Sequence, residues 1–372
     1  MQFIDLGAQQ KRIRESLEAN IKKVLDHGRY INGPEIKELE EKLASYAGVE
    51  YAIGVGSGTD ALLMILLGND VGPGDAVFTS TFTFIATAEV IQLLGATPVF
   101  VDIDSDTFNI DVNKLKEAIT EVIEEGKLKP KSIIPVDLFG QPADYDEINQ
   151  IAENYGLFVL QDAAQSFGAT YKGRKSCSLA EFAATSFFPA KPLGCYGDGG
   201  MIFTSEEAFY DKMISIREHG KGIDKYNNIR VGINGRMDTL QAAVLLSKFE
   251  IFDEEIQLRQ EAAGRYNMSL KEVVKVPYIR EENISAWAQY SVLHDDREGI
   301  INNLNNNGIP TAIYYPKPLH LQTAFSNLEY GKGAFPVAEK VAGEIFSLPM
   351  HPYLPEAEQD SIISRILSYN RI

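Results

Sequence analysis

The sequence predicts an α/β protein: a mostly parallel sheet covered by helices, followed by a smaller C-terminal α+β unit. Three observations carry this. Short apolar runs alternate with helical patterns from Glu50 onward, the order that builds parallel sheets. Those runs are largely apolar, as strands buried on both faces are. The alternation then gives way to a long helical stretch and a shorter strand–helix–strand pattern.

Along the chain, residues 9–43 are charged and read as helices, broken by the Gly- and Pro-containing loop 27–34. Residues 51–55, 76–79, 98–103, 132–136, 157–161, 183–188 and 201–204 read as strands. Helical patterns at 60–67, 86–94, 112–125 and 145–155 lie between the first five. Residues 238–274 form the long helical stretch, and then 287–294, 297–306 and 311–315 read as strand, helix and strand. A boundary near residue 250 follows, giving a large unit of residues 1–250 and a small one of 251–372. Ligands in open α/β sheets bind at the carboxyl ends of strands, so chemistry is expected just past each run.

The 372 residues suffice for two domains. Hydrophobic residues at 45% and charged residues at 23% exclude wholesale disorder. The net charge of −17 argues against a nucleic-acid binder, which would need a basic phosphate footprint. Cys177, Cys195 and five scattered histidines supply neither a disulfide framework nor a thiolate metal site. His219, His320 and His351 are read as structural, with no metal. The first residues lack the basic-then-apolar order of a signal peptide. No stretch approaches the ~20 apolar residues of a membrane span. A soluble, cytoplasmic protein is expected.

Three places past strand ends could carry chemistry. Gly54-Val55-Gly56-Ser57-Gly58-Thr59-Asp60 approaches a dinucleotide fingerprint but has Thr59 at the third glycine position. What survives is a helix start whose small residues let backbone N–H groups approach an anion, with the Thr59 hydroxyl able to add a bond. A plain helix cap on Ser57 or Thr59 accounts for the same residues. Asp162 follows an apolar run and precedes two alanines; a carboxylate there needs a cation or donors, whether it is functional or a buried structural acid. Lys191, in Pro189-Ala190-Lys191-Pro192-Leu193-Gly194, sits in a rigid apolar turn rather than on a solvated helix face. Low dielectric there favours the neutral amine that a Schiff-base lysine requires; an ordinary surface lysine is the alternative. An anion site, a buried carboxylate and a desolvated lysine together match pyridoxal 5'-phosphate (PLP). Its phosphate needs backbone donors, its aldehyde a lysine and its ring nitrogen an acid.

Several motifs carry a resemblance: Ser-Gly-Thr-Asp-Ala-Leu at 57–62, Gln-Asp-Ala-Ala-Gln-Ser-Phe-Gly-Ala at 161–169, Ser-Phe-Phe-Pro-Ala-Lys-Pro-Leu-Gly at 186–194 and Gly-Asp-Gly-Gly at 197–200. They resemble the DegT/DnrJ/EryC1/StrS family of PLP-dependent aminotransferases of nucleotide-linked sugars. The resemblance runs essentially end to end, from Phe3-Ile4-Asp5-Leu6 to Ser347-Leu348-Pro349-Met350-His351-Pro352. It implies PLP-dependent aminotransferase fold type I, with a mostly parallel mixed sheet in the large domain. Residues 230–241 are similar to a subgroup that aminates the C3 ketone of UDP-2-acetamido-2-deoxy-hex-3-uluronic acid for bacterial surface polysaccharides, O-antigen among them.

The resemblance implies Lys191 as the Schiff-base lysine, Asp162 at the pyridine nitrogen and Gln165 at the ring hydroxyl. Gly58, Thr59 and Ser186 would hold the phosphate. Phe84 falls where relatives stack an aromatic ring on the cofactor, an ordinary core phenylalanine being the alternative. Asn234 matches a position that reaches the phosphate from the neighbouring subunit, which implies a homodimer with shared sites. Arg236 would bind an anionic sugar group in a planar fork, or else make a surface or interface ion pair. Tyr314 and Tyr315 would contact the sugar, Tyr314 departing from the His of the nearest subgroup. Tyr30 and Asn32 serve either substrate or loop packing. The implied partners are a UDP-linked keto-sugar and an amino donor, glutamate. Amination at another carbon or of another nucleotide sugar, and a non-catalytic regulator, are the competing readings. A PLP-dependent dehydratase is disfavoured by Lys191, where such relatives carry His, and an NAD-dependent dehydrogenase by Thr59 and the Asp162/Lys191 pair.

Overall fold

Helices α1 (Leu6–His27) and α2 (Pro34–Ala47) lead the chain. Asp5 caps the first by accepting from Ala8 N at 2.8 Å, and Pro34 opens the second, where a missing N–H costs nothing. The computed structural model describes residues 1–224 and 226–369; Lys225 and residues 370–372, the end of the expected small unit, lie outside the described residues.

There follow β1 (Tyr51–Val55), α3 (Gly58–Gly68), β2 (Asp75–Ser80), α4 (Ala86–Leu93), β3 (Thr97–Val101) and α5 (Val112–Glu125). The chain continues through β4 (Lys129–Ile134), α6 (Tyr145–Tyr155), β5 (Phe158–Asp162), the short β6 (Thr170–Tyr171) and β7 (Arg174–Lys175), β8 (Phe182–Ser186) and β9 (Gly200–Thr204). Seven of these strands form one sheet in the order β1-β9-β8-β5-β4-β2-β3. Every neighbouring pair is parallel except the two that involve β9. The exception follows from the chain path: a parallel partner needs a long crossover, usually a helix, and the connection from β8 to β9 contains none.

Alternate strand residues face opposite sides. Ile53, Val77, Ile134, Leu160 and Ile202 pack on Leu62, Ile65 and Leu66 of α3. On the other face, Phe78, Val99, Ile133 and Val159 meet α5 and α6, while Ala52, Ala183 and Phe203 meet Leu39 and Leu43 of α2. Each fully buried side chain of this size contributes roughly 1.5–3 kcal/mol.

After α7 (Glu207–Arg217) the expected long helix is two, α8 (Thr239–Phe249) and α9 (Phe252–Leu270). Neither Gly nor Pro marks the break at Glu250-Ile251; it coincides with Phe249 and Phe252 both closing on Tyr46, at 5.3 and 5.8 Å between ring centroids. Strand β10 (Asn283–Ile284) pairs with β6. Then come β11 (Tyr290–Leu293), α10 (Arg297–Asn306), α11 (Pro336–Glu344), β12 (Ile345–Leu348) and α12 (Glu356–Tyr369). The strand expected at 311–315 does not form, and β12 is the antiparallel partner of β11 instead. Only Ala312 bridges to Ser347. Pro310 and Pro316 flank the segment and cannot donate to a ladder, and Tyr315 turns its ring to within 6.2 Å of Phe82 and 6.3 Å of Phe84. Tyr266, Leu270, Tyr290, Val292, Ile300, Phe346 and Ile362 close a separate core here. Among the described residues, no helix is long and apolar enough to cross a membrane.

An ion pair between buried Arg217 and partly buried Glu40 locks α7 to α2: Arg217 Nη1 donates to Glu40 at 2.8 Å and to Gly54 O at 2.9 Å, while Gly54 N donates to Glu40 at 2.8 Å. Glu40→Ala would strand a buried guanidinium and should cost about 3 kcal/mol. Denaturant titration should show a lower midpoint at unchanged slope; a loss below about 1 kcal/mol would mean the pair behaves as a surface one.

Candidate functional site

Strands β1, β8 and β5 run in one direction, so Ser57-Gly58, Ser186 and Asp162 all emerge at one edge of the sheet. At that edge α3 begins. Ser57 is its cap, accepting from Asp60 N at 3.0 Å, and Ala61 N donates to Ser57 O at 3.1 Å. The first-turn N–H groups of Gly58 and Thr59 have no acceptor inside the helix and remain available to a ligand. Glycine lets this turn lie against the end of β8: a Cβ on Gly58 would meet Ser186 Cβ at 2.8 Å, and one on Gly200 would meet the Ser57 carbonyl carbon at 2.4 Å. Ser186 Oγ accepts from Phe188 N at 3.2 Å, which leaves its own proton free to donate.

Asp162 ends β5 with 4% of its surface exposed. Thr87 Oγ1 of α4 donates to Oδ2 at 2.8 Å and Ala164 N to Oδ1 at 3.2 Å. Burial pushes its carboxyl up, and Thr87, Ala164 and the charge of Lys191 pull it back. Lys191 lies in the loop between β8 and β9, its N–H closing a turn on Phe188 O at 2.9 Å. Its side chain is partly buried. Desolvation lowers the amine below the ordinary lysine range, against the pull of Asp162. Gln165 is pinned at both ends: Oε1 accepts from Phe139 N at 2.6 Å, and Nε2 donates to the Tyr315 hydroxyl at 3.2 Å.

Phe84 is 55% exposed, which removes the core-phenylalanine alternative, and its ring lies beside that of Tyr315. Tyr314 is partly buried next to Tyr315, their centroids 5.9 Å apart. The 234–236 stretch runs beside β1, with Gly56 N donating to Gly235 O at 2.9 Å and Arg236 bridging to Val55. Arg236 Nε is buried and has no hydrogen-bond partner among the described residues. Asn234 is exposed and bridges to Glu218; no hydrogen bond within the described chain joins it to Gly58, Thr59 or Ser186. Tyr30 is exposed, and Asn32 donates to Glu218 at 2.7 Å, a loop-packing contact. His320 is held between Thr81 at 2.8 Å and Glu339 at 3.1 Å, burial pushes His351 down to about 4, and His219 is exposed. Among the described residues, no cluster of His, Cys, Asp or Glu is placed to hold a metal ion.

Sequence reasoning missed Thr87, Phe139 and Asp137. Asp137 was detectable as a lone acid in the apolar run Ile133-Ile134-Pro135-Val136-Asp137-Leu138-Phe139. Thr87 had no such signal, because its role appears only when α4 meets the end of β5.

The donor set fits PLP: a cradle of N–H groups that a Cβ on Gly58 would fill, an acid kept from water, and an amine disposed to be neutral. Lys191 should therefore react with acetic anhydride near neutral pH faster than solvated lysines do in the cofactor-free protein. Lys248, lowered to about 8 but fully buried, should stay unlabelled. Competitive labelling read by mass spectrometry checks this, and Asp162→Asn should accelerate Lys191 further by removing the opposing charge. Equal labelling of Lys191 and exposed lysines would refute the desolvation.

The model of the DegT/DnrJ/EryC1/StrS aminotransferase family matches residues 11–367. A UDP-2-acetamido-2-deoxy-3-oxo-D-glucuronate aminotransferase of Pseudomonas aeruginosa is 51% identical over 96% of this chain and 97% of that protein. The crystal structure of a DegT DnrJ EryC1 StrS aminotransferase from Brucella abortus superposes with a TM-score of 0.97 at 53% identity, covering 99% of both chains. The PLP form of a sugar aminotransferase from Streptococcus pneumoniae superposes at 0.89 and 29% identity, over 96% of each chain.

Proposed function

The chain belongs to the DegT/DnrJ/EryC1/StrS aminotransferase family, whose members depend on PLP, and from that premise we propose its substrate and the roles of its residues. It moves an amino group from glutamate to the C3 ketone of a UDP-linked 2-acetamido-2-deoxy-hex-3-uluronic acid, as a cytoplasmic homodimer serving polysaccharide synthesis. Similarity along nearly the whole chain to the Pseudomonas aeruginosa C3-ketone aminotransferase supports the sugar. The observation that carries the chemistry is the desolvated Lys191 amine within the electrostatic reach of the buried Asp162. Residues 1–250 would form the cofactor-binding unit and 251–372 the smaller one, which the separate core around Tyr266 and Tyr290 supports.

PLP, when bound, supplies the aldehyde that takes up the amine and the electron sink for the carbanion next to the transferred nitrogen. Lys191 Nζ would hold the aldehyde and, when free, accept the α-proton of the donor; both roles need the neutral amine. Asp162 would hold the proton on the ring nitrogen, its carboxylate state supported by Thr87 and Ala164. Gln165 would orient the ring hydroxyl, and Phe84 would cover the ring face. Gly58 N–H, Thr59 and Ser186 would hold the phosphate. Arg236, with Nε unpartnered, and Tyr314 and Tyr315 receive the sugar, the guanidinium matching its carboxylate or diphosphate.

Borohydride added to the PLP-loaded protein should fix the cofactor to the peptide containing Lys191, and Lys191→Ala should abolish the label. Without borohydride, the loaded enzyme should convert glutamate and the 3-keto sugar to 2-oxoglutarate and a 3-amino sugar. A label on another lysine would defeat the assignment, and turnover only with keto-sugars lacking the carboxylate would move the substrate elsewhere in the family.

A helix start offers a partial positive charge to a phosphate of about −1.5 to −2, so further donors are needed, and Asn234 of the second subunit is proposed as one. Mixing inactive Lys191→Ala protein with inactive Asn234→Ala, Arg236→Ala protein should restore at most about half the wild-type activity per heterodimer, because one shared site is rebuilt. Exchange is checked first by mass measurement on tagged chains. Exchanged heterodimers without activity would disprove the shared site.

A further inference from the structure

We propose that Asp137 is a positioning residue: its carboxylate staples together the two ends of the turn that carries Asp162 and Gln165. The inference rests on the cofactor roles given to those two residues above. Asp137 lies just past β4 with no exposed surface, and its two oxygens accept four hydrogen bonds. Oδ2 accepts from Gln161 Nε2 at 2.7 Å and from Ser166 Oγ at 2.6 Å. Oδ1 accepts from Ala143 N at 3.0 Å and from the Tyr145 hydroxyl at 2.8 Å. Gln161 precedes Asp162 and Ser166 follows Gln165, so a single oxygen ties both ends of the turn.

The neighbours of Asp137 hold the middle of the same turn. Its own N–H donates to Asp162 O at 3.1 Å, and Phe139 N donates to Gln165 Oε1 at 2.6 Å. Phe139 does this at φ 59, a left-handed conformation uncommon for a residue with a side chain. Ser176 Oγ braces the staple from behind, 3.0 Å from Gln161 Nε2 and 2.7 Å from Ser166 Oγ.

A buried carboxylate is an expensive way to fill a core, and an apolar side chain would serve stability as well. What the charge adds is direction. Four donors converge on it, and a fully satisfied buried network holds its members in one arrangement. Residues that carry a reacting group need such support to keep their geometry.

The two oxygens separate positioning from stability. Ser166→Ala removes a bond on the side of the turn, Tyr145→Phe one on the far side, and Asp137→Asn confronts donors with an amide. Each variant is loaded with PLP, and its cofactor affinity, the pH midpoint of the bound cofactor's absorbance and its melting temperature are measured. Asp137→Asn and Ser166→Ala should weaken PLP binding about tenfold, the size expected of one hydrogen bond to a charged group, and should displace the midpoint. Tyr145→Phe should lower the melting temperature and leave both cofactor readouts at wild-type values. Ser166→Ala with wild-type affinity and midpoint would overturn the proposal, as would a Tyr145→Phe shift as large as that of Ser166→Ala. If Asp137→Asn does not fold, the other two variants decide the matter. Wild-type protein that takes up no PLP would overturn the functional reading, and this inference with it.

Discussion

Burial acts on Asp162 and Lys191 in opposite senses, raising the carboxyl and lowering the amine, while the charge of each opposes the shift of the other. The chemistry of the sheet edge depends on how that contest is balanced. With too much water, Lys191 would be an ordinary ammonium; with too little hydrogen bonding, Asp162 would become a neutral acid. Thr87 and Ala164 donate to the carboxylate alone, so the protein supports one charge and leaves the other to desolvation. Thr87 comes from α4, Ala164 from the turn after β5, and Lys191 from the loop after β8. The balance is thus a property of the assembled sheet.

The same edge shows how backbone serves where side chains would be in the way. At Gly58 and Gly200 the distances to Ser186 and Ser57 leave no room for a Cβ, so the start of α3 presses directly on β8. A helix start that near brings its free N–H groups beside the Ser186 hydroxyl, making one surface for an anion out of two elements. Ser57 completes the arrangement by occupying the cap.

The parts of this architecture that were legible in the sequence are those governed by local pattern. Apolar runs marked the sheet strands because both sheet faces are covered, and the structure brings the residues just past 157–161 and 183–188 to the same end of the sheet. The antiparallel direction of β9 was legible only as an absence: no helical pattern lies between 183–188 and 201–204, so no crossover can return the chain parallel. The break at Glu250-Ile251 follows aromatic packing on Tyr46 and has no breaker residue. Residues 311–315 have a strand-like composition, but Pro310 and Pro316 and the turn of Tyr315 toward Phe82 outweigh it. Of the site, Lys191 and Asp162 stood out through their surroundings. Thr87 could not, because a threonine in a helix looks the same whether it faces solvent or a carboxylate seventy-five positions away.

The helix-free connection between β8 and β9 also bears on how the site comes together as the chain folds. The two strands are near neighbours in sequence, so their pairing closes a short loop, and loop-closure entropy grows with the length enclosed. The pairing of β1 with β9, by contrast, joins Tyr51 to Thr204, and the meeting of Gly58 with Ser186 spans a similar stretch. Lys191 therefore rides on one of the most local contacts in the sheet, while the anion cradle depends on one of the most distant. Topologies with local contacts form sooner than those with remote ones, so the loop that bears the amine should have its anchors before the start of α3 arrives opposite it.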